Sequence, residues 1–215
     1  MRWTPCGPHA ALIQLAEPDE AATRARTRAI SRFLESESGR EVADFSIAFD
    51  KVLLEFRAGE NAVALAAEWL RRFAALDPVT ASAATLHEIP VVYDGEDLAE
   101  IAERHGFTIA ETIERHAAPV YEVALLGFSP GFPYLAGLDP KLRSPRRANP
   151  RPKVPAGSIA IGGSHTGIYS IESPGGWNLI GTTSVRIFDP SRREPNDEAM
   201  FLLRAGDRVK FLPIQ

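Results

Sequence analysis

Between Asp139 and Glu172 the chain carries no acidic residue and six cations: Lys141, Arg143, Arg146, Arg147, Arg151 and Lys153. Guanidinium groups bind carboxylate or phosphate through paired hydrogen bonds, so Arg146 and Arg147 are candidates to hold an anion. Lys153 adds a point charge suited to catalysis. Glu172 is the first acid after the run, a residue type able to act as general base or to orient an N–H group. The glycine pairs Gly162-Gly163 and Gly175-Gly176 are able to present backbone N–H groups to an anion. Phe132, Tyr134 and Trp177 can wall a pocket, with Asn178 beside them as a further substrate-binding candidate. Plainer roles stand beside these: solvated surface or a contact with a partner chain for the arginines, a salt bridge for Glu172, core packing for Trp177. His165, a lone histidine beside glycines and a threonine, is a weaker ligand or base.

These residues fall within a 55-residue stretch, 127–181, that holds ten of the 16 glycines and eight of the 17 prolines. A helix does not tolerate that density, so shaped loops on short strands are predicted there. The elements that position them follow from periodicity. Strands are predicted at 10–16, 42–49, 52–56 and 85–93, and amphipathic helices at 20–36 and 60–76, closed by Gly39 and by Asp77-Pro78. Strand, helix, two strands, helix and strand is the order of a split β-α-β unit with two helices over one sheet face. Short helices follow at 97–105 and 109–116, where His105 and His116 suit the helix dipole. Beyond Pro119 the segments 121–128, 158–161, 167–171, 177–180, 185–188 and 208–213 read as strands of a barrel or sandwich. The fold class is therefore α+β: a small N-terminal α/β domain over 1–85 and a β-barrel domain over 86–215.

The chain of 215 residues is 45% apolar and 24% charged, ordinary values for a water-soluble globular protein. A net charge of −4 and a pI near 5.8 argue against nucleic acid as a partner. The single cysteine, Cys6, forms no intramolecular disulfide and fits a reducing cytoplasm. The N-terminus lacks a signal pattern, and no apolar run is long enough for a membrane span. A cytoplasmic protein without membrane contact is expected. There is no G-x-x-x-x-G-K-[ST], H-E-x-x-H or C-x-x-C, so no P-loop and no metal site are expected on this chain.

GFSPGFPYLAGLDPKL, PRRANPRPKVPAGSIAIGG, TGIYSIESPGGWNLIGTT and LRAGDRVKFLPI appear in that order. With these motifs the chain resembles the family of the 5-oxoprolinase B subunit, also described as allophanate hydrolase subunit 1 and as the kinase inhibitor KipI. The segment VVYDGEDLAEIAERHG is shorter than its counterpart there, and His165 stands where relatives carry glutamine. The resemblance implies a cyclophilin-like barrel and a part in opening 5-oxoproline to glutamate at the expense of ATP. A lactam is an unactivated amide, and phosphorylating its oxygen calls for cations around a developing charge. On that reading Arg146, Arg147 and Lys153 meet the phosphoryl group or the carboxylate, and Glu172 meets the ring N–H or acts as base. ATP and Mg2+ are implied for the complex, with none evident for this chain alone. The implied partners are the other two 5-oxoprolinase components: a C subunit resembling allophanate hydrolase subunit 2, and an A subunit of the LamB/YcsF type. Two alternatives accompany the resemblance: a KipI-like inhibitor of histidine kinase autophosphorylation, and a role beside a urea carboxylase.

Overall fold

Alternation builds the first sheet. Strand β2 (Ala10–Gln14) buries Ala11 and Ile13, and β4 (Lys51–Phe56) buries Val52, Leu54 and Phe56, so one face of each strand is apolar. They pair antiparallel, flanked by β1 (Arg2–Pro5) and β3 (Val42–Ala48) in the order β1-β2-β4-β3. Helix α1 (Glu20–Glu37) brings Ile30 and Leu34 to that face; α2 (Ala62–Ala75) brings Ala66, Trp69 and Phe73. The start of α2 is set by Asn61, whose side chain accepts hydrogen bonds from the N–H groups of Val63 and Ala64. Two helices on one sheet face is the expected arrangement. Every described pairing in this sheet is antiparallel, however, and the strand predicted at 85–93 belongs to the barrel instead.

The structure, a computed structural model, describes residues 1–37, 41–57, 61–77, 84–193 and 197–214. It divides into two units, Met1–Ala83 and Ala84–Gln215. Gly39 and Pro78, the expected helix terminators, lie outside the described residues.

In the second unit, seven strands close into a barrel: β5 (Leu86–Val92), β6 (Tyr121–Leu126), β7 (Pro133–Ala136), β9 (Ser158–Gly162), β10 (His165–Ile168), β12 (Asn178–Thr182) and β13 (Arg208–Ile214). Their order is β10-β7-β6-β13-β5-β12-β9, and β5 with β13 is the parallel pair. Each strand contributes to one interior cluster: Val91, Val123, Leu135, Ile161, Ile168, Ile180 and Phe211 come one from each. Helix α3 (Leu98–His105) adds Leu98 and Ile101 to that cluster and ends at Gly106, whose φ of 70° suits a residue without a side chain. Helix α4 (Ile109–Ala117) opens with a reciprocal cap between Thr108 and Glu111. Two further strands, β8 (Arg151–Val154) and β11 (Ser173–Gly175), pair only with each other as a ribbon. No α-helix follows Ala117 among the described residues, in line with the barrel expectation.

Strand β7 and the ribbon escape sequence reading because they are four, four and three residues long, and each contains a proline. The segment 185–188 is not a strand; Phe188 makes one isolated bridge to Phe201.

Candidate functional site

Positions that alternate with the barrel interior point outward. On four adjacent strands that outer surface is aromatic. Phe132, Tyr169, Trp177, Ala160 and Leu179 form a second buried cluster with Val154 of the ribbon, and Tyr134 packs against it. The rings meet edge to face: Phe132 lies 5.3 Å from Trp177 at 89°, and 5.2 Å from Tyr169 at 79°. The exposed ring of Phe128 continues the cluster, 5.5 Å from Phe132, on a backbone held at φ 71°. Arg146 places its guanidinium carbon 5.8 Å from the centre of the Trp177 ring, within cation–π range. Burial pushes the Tyr169 phenol above its ordinary pKa, opposed by a hydrogen bond from the Trp177 backbone and by the charges of Arg146 and Arg151.

One glycine of each pair, Gly162 and Gly175, serves this cluster. A Cβ on Gly162 would overlap the Trp177 ring, and one on Gly175 would overlap the Tyr169 hydroxyl. These glycines are seats for rings. The N–H of Gly163 is already given to the Ser144 carbonyl at 2.7 Å.

The acid that meets the arginine run is Asp97, which the sequence offers only as the first residue of a predicted helix. It is buried and sits just before α3. Its Oδ2 accepts the Leu179 N–H of β12 at 2.7 Å. Its Oδ1 accepts Arg147 Nη1 at 2.6 Å and Arg151 Nη2 at 2.8 Å. Arg147 also reaches Glu100 at 3.6 Å, and Arg151 reaches Glu96 at 3.1 Å, both through the exposed rim. Glu172 turns elsewhere: it pairs with Lys153 at 3.0 Å across the ribbon, with both side chains more than half exposed. The two catalytic candidates thus meet each other and stand apart from the arginines that Asp97 holds.

Asn178 is buried, and its amide donates to the carbonyls of Pro145 and Ile161, each at 3.0 Å. Both donors are spent on fastening the arginine-bearing loop to β9. Of its polar atoms only Oδ1 is left for a ligand. Phe132 and Trp177 remain in the aromatic face, the former almost wholly enclosed.

His105 and His116 close α3 and α4. His116 stands in the last turn of α4 as expected, fully buried in the barrel and stacked on Phe211 at 4.9 Å. Thr166 donates its hydroxyl to the Ala160 carbonyl at 2.9 Å, so it accepts from His116 Nε2 at 2.8 Å. Tyr93 therefore donates to Nδ1 at 2.8 Å, and the ring is neutral. Burial lowers its pKa to about 3. His165 lies at the surface end of β10, with Nδ1 3.1 Å from Ser164 Oγ.

Gly127-Phe128-Ser129-Pro130-Gly131 spells G-x-S-x-G, a pattern of serine nucleophiles. The structure gives it no such role. Ser129 Oγ is 3.3 Å from Ser170 Oγ, the left-handed backbone belongs to Phe128, and β7 follows where a nucleophile elbow needs a helix.

Among the described residues no group of three or more His, Cys, Asp or Glu side chains is placed to hold a metal ion. No helix among them is long and apolar enough to cross a membrane. A family model described as carboxyltransferase domain, subdomain C and D, matches residues 1–197. A Haemophilus influenzae protein named as the B subunit of 5-oxoprolinase is 51% identical over 128 residues, which are 58% of this chain and 58% of that protein. An Escherichia coli O157:H7 protein of the same name is 48% identical over 148 residues, 67% of this chain and 64% of that one. The match therefore spans about six tenths of each relative's length. The crystal structure of TTHA0988 superposes with a TM-score of 0.79 and 39% identity, over 96% of this chain and 40% of that one. The chain belongs to the family of carboxyltransferase domains, subdomain C and D.

Proposed function

We propose that this chain is the B subunit of an ATP-dependent 5-oxoprolinase complex that opens 5-oxo-L-proline to L-glutamate. The observation that carries the reading is the pairing of an aromatic cluster with a set of arginines beside it. Phe128 and Tyr134 present apolar surface backed by the enclosed Phe132 and Trp177, Arg146 lies over the indole, and Asp97 holds Arg147 and Arg151 in place. A small lactam that bears a carboxylate is complementary to both features. The names of the relatives supply the specific substrate.

On this reading Phe132, Trp177, Arg146 and Arg147 bind substrate. Lys153 and Glu172, exposed on the outside of the ribbon, act where a partner chain covers them. Isolated, the pair is bathed in water, where a carboxylate is a weak base and its ion pair weakly coupled. The chain alone is therefore inactive, and homologues of the A and C subunits complete the site in the cytoplasm. The described residues do not form a metal-ligand set, so ATP and Mg2+ are assigned to the assembled complex and no step on this chain runs through them.

The test is to co-express this chain with homologues of the A and C subunits and to follow glutamate release from 5-oxoproline. Release that needs ATP and all three chains is expected. An idle complex, or a chain that turns over alone, refutes the proposal.

A further inference from the structure

The ribbon over the aromatic face contains the two buried side-chain atoms that lack a hydrogen-bond partner among the described residues: Arg151 Nη1 on β8 and Ser173 Oγ on β11. Buried donors without partners are uncommon, because each has given up water and received nothing in return. Their coincidence on a seven-residue ribbon calls for a cause.

Strand register shows where both point. Ser173 pairs with Val154, which is wholly buried in the aromatic cluster. Arg151 pairs with Gly175, whose missing Cβ makes room for the Tyr169 hydroxyl. Directly opposed residues of an antiparallel pair project to the same face. Arg151 and Ser173 therefore lie on the inner face of the ribbon, toward Tyr169, while Lys153 and Glu172 lie on the outer face. The ribbon itself is short, and its register slips between Ser173 and Gly175, so few backbone bonds hold it down.

Charge defines what these donors lack. Arg147 and Arg151 share the one buried carboxylate of Asp97; Glu96 and Glu100 are more than half exposed and screened by solvent. Arg147 is itself 35% exposed, so among the enclosed groups Arg151 and Asp97 balance, and what Arg151 lacks is an acceptor for Nη1. An acceptor anion added there leaves less uncompensated charge as a carboxylate than as a phosphate dianion. Arg151 donates to Asp97 through Nη2 only, so the fork keeps Nη1 for a second acceptor.

We propose that the β8–β11 ribbon is a flap over a carboxylate-binding site, in which Arg151 Nη1 and Ser173 Oγ hold the carboxylate of a small cyclic amide against the aromatic face. Asp97 is the positioning residue that aims Arg151. The flap lifts to admit the ligand, and closing delivers to the two donors the acceptor that they lack. The identity of the ligand as 5-oxoproline rests on the function proposed above; the anion site does not.

The experiment uses the assembled complex. KM for 5-oxoproline is compared with the inhibition constant of 5-oxoprolinamide, the same ring without the charge, in Arg151→Lys, Ser173→Ala and Asp97→Asn. Arg151→Lys and Asp97→Asn are expected to raise KM about tenfold or more, and Ser173→Ala about threefold or more, with kcat little changed. The constant for 5-oxoprolinamide stays at the parent value, which a variant that merely loosens the fold does not achieve. Ser173→Ala keeps the proposal testable if the Arg151 and Asp97 variants fail to fold, because the Ser173 hydroxyl has no hydrogen-bond partner among the described residues. Parent-like KM in Ser173→Ala and Arg151→Lys overturns the site and leaves the function standing, as does equal weakening of both ligands. If the complex is idle with 5-oxoproline, the full chain labelled with 15N-arginine is titrated with acetate and with inorganic phosphate. A saturable Arg151 shift with acetate, lost in Ser173→Ala, upholds the site without the function. Absence of saturation, or a response to phosphate alone, overturns it.

Discussion

His116 gives the barrel a measurable dependence on pH. Enclosed by Tyr93, Thr166, Tyr121 and Phe211, its ring is held neutral, with a pKa near 3 against 6.5 for the free side chain. The unfolded chain therefore binds a proton that the folded barrel refuses. Stability is complete above pH 6.5 and falls as the pH drops toward 3, by up to about 1.4 kcal/mol per pH unit. Between pH 7.5 and 5, before most carboxylates titrate, the loss amounts to about 2 kcal/mol. The perturbation is His116→Gln, whose amide can donate to Thr166 and accept from Tyr93 but takes up no proton. His105, lowered by burial and by the charge of Arg104, is present in both proteins and cancels in the comparison. Urea denaturation read on barrel amide signals by NMR, at half-unit steps from pH 7.5 to 5, gives the two curves. The parent should lose about 2 kcal/mol more than the variant over that span. Parallel curves refute the reasoning, as does a His116 ring proton that titrates near pH 6.5 in the folded protein.

Gly162→Ala drives a methyl group into the Trp177 ring, which should cost about 1–3 kcal/mol and shift the indole emission; an unchanged melting temperature and spectrum would show that the ring has slack. Glu172→Gln and Lys153→Ala break an exposed ion pair, so thermal melting should move by less than about 1 kcal/mol. In the assembled complex the same variants should slow turnover by about 10²-fold, the usual contribution of a positioned acid or base, and turnover at the parent rate would return the pair to the surface. Asn178→Leu leaves the Pro145 and Ile161 carbonyls without donors and should destabilise the barrel by about 1–3 kcal/mol, measured by urea midpoint; a neutral effect would reopen Asn178 as a ligand group.

Local patterns are legible in the chain and long-range ones are not. Helices α2, α3 and α4 announce themselves through apolar spacing. The aromatic residues group correctly because they share one motif-rich stretch and one barrel surface. The electrostatic centre is hidden for the opposite reason. Glu172 is the acid next to the cationic run in sequence, but Asp97 binds its arginines from 50 and 54 positions away and ties to Leu179 across 82. No periodicity encodes that meeting; it exists only because β12, on the closed barrel, lies beside the start of α3. Glycine presents the same ambiguity at short range. Gly162 and Gly175 look alike whether they free the backbone for an anion or clear space for a ring, since both uses demand a missing Cβ. What separates them is whether the neighbouring N–H groups are engaged and what stands where the Cβ would be. At Gly162 and Gly163 those are the Trp177 indole and the Ser144 carbonyl, neither adjacent in sequence. The anion-binding groups must then be sought where donors are still unsatisfied, and the ribbon's Arg151 and Ser173 meet that condition.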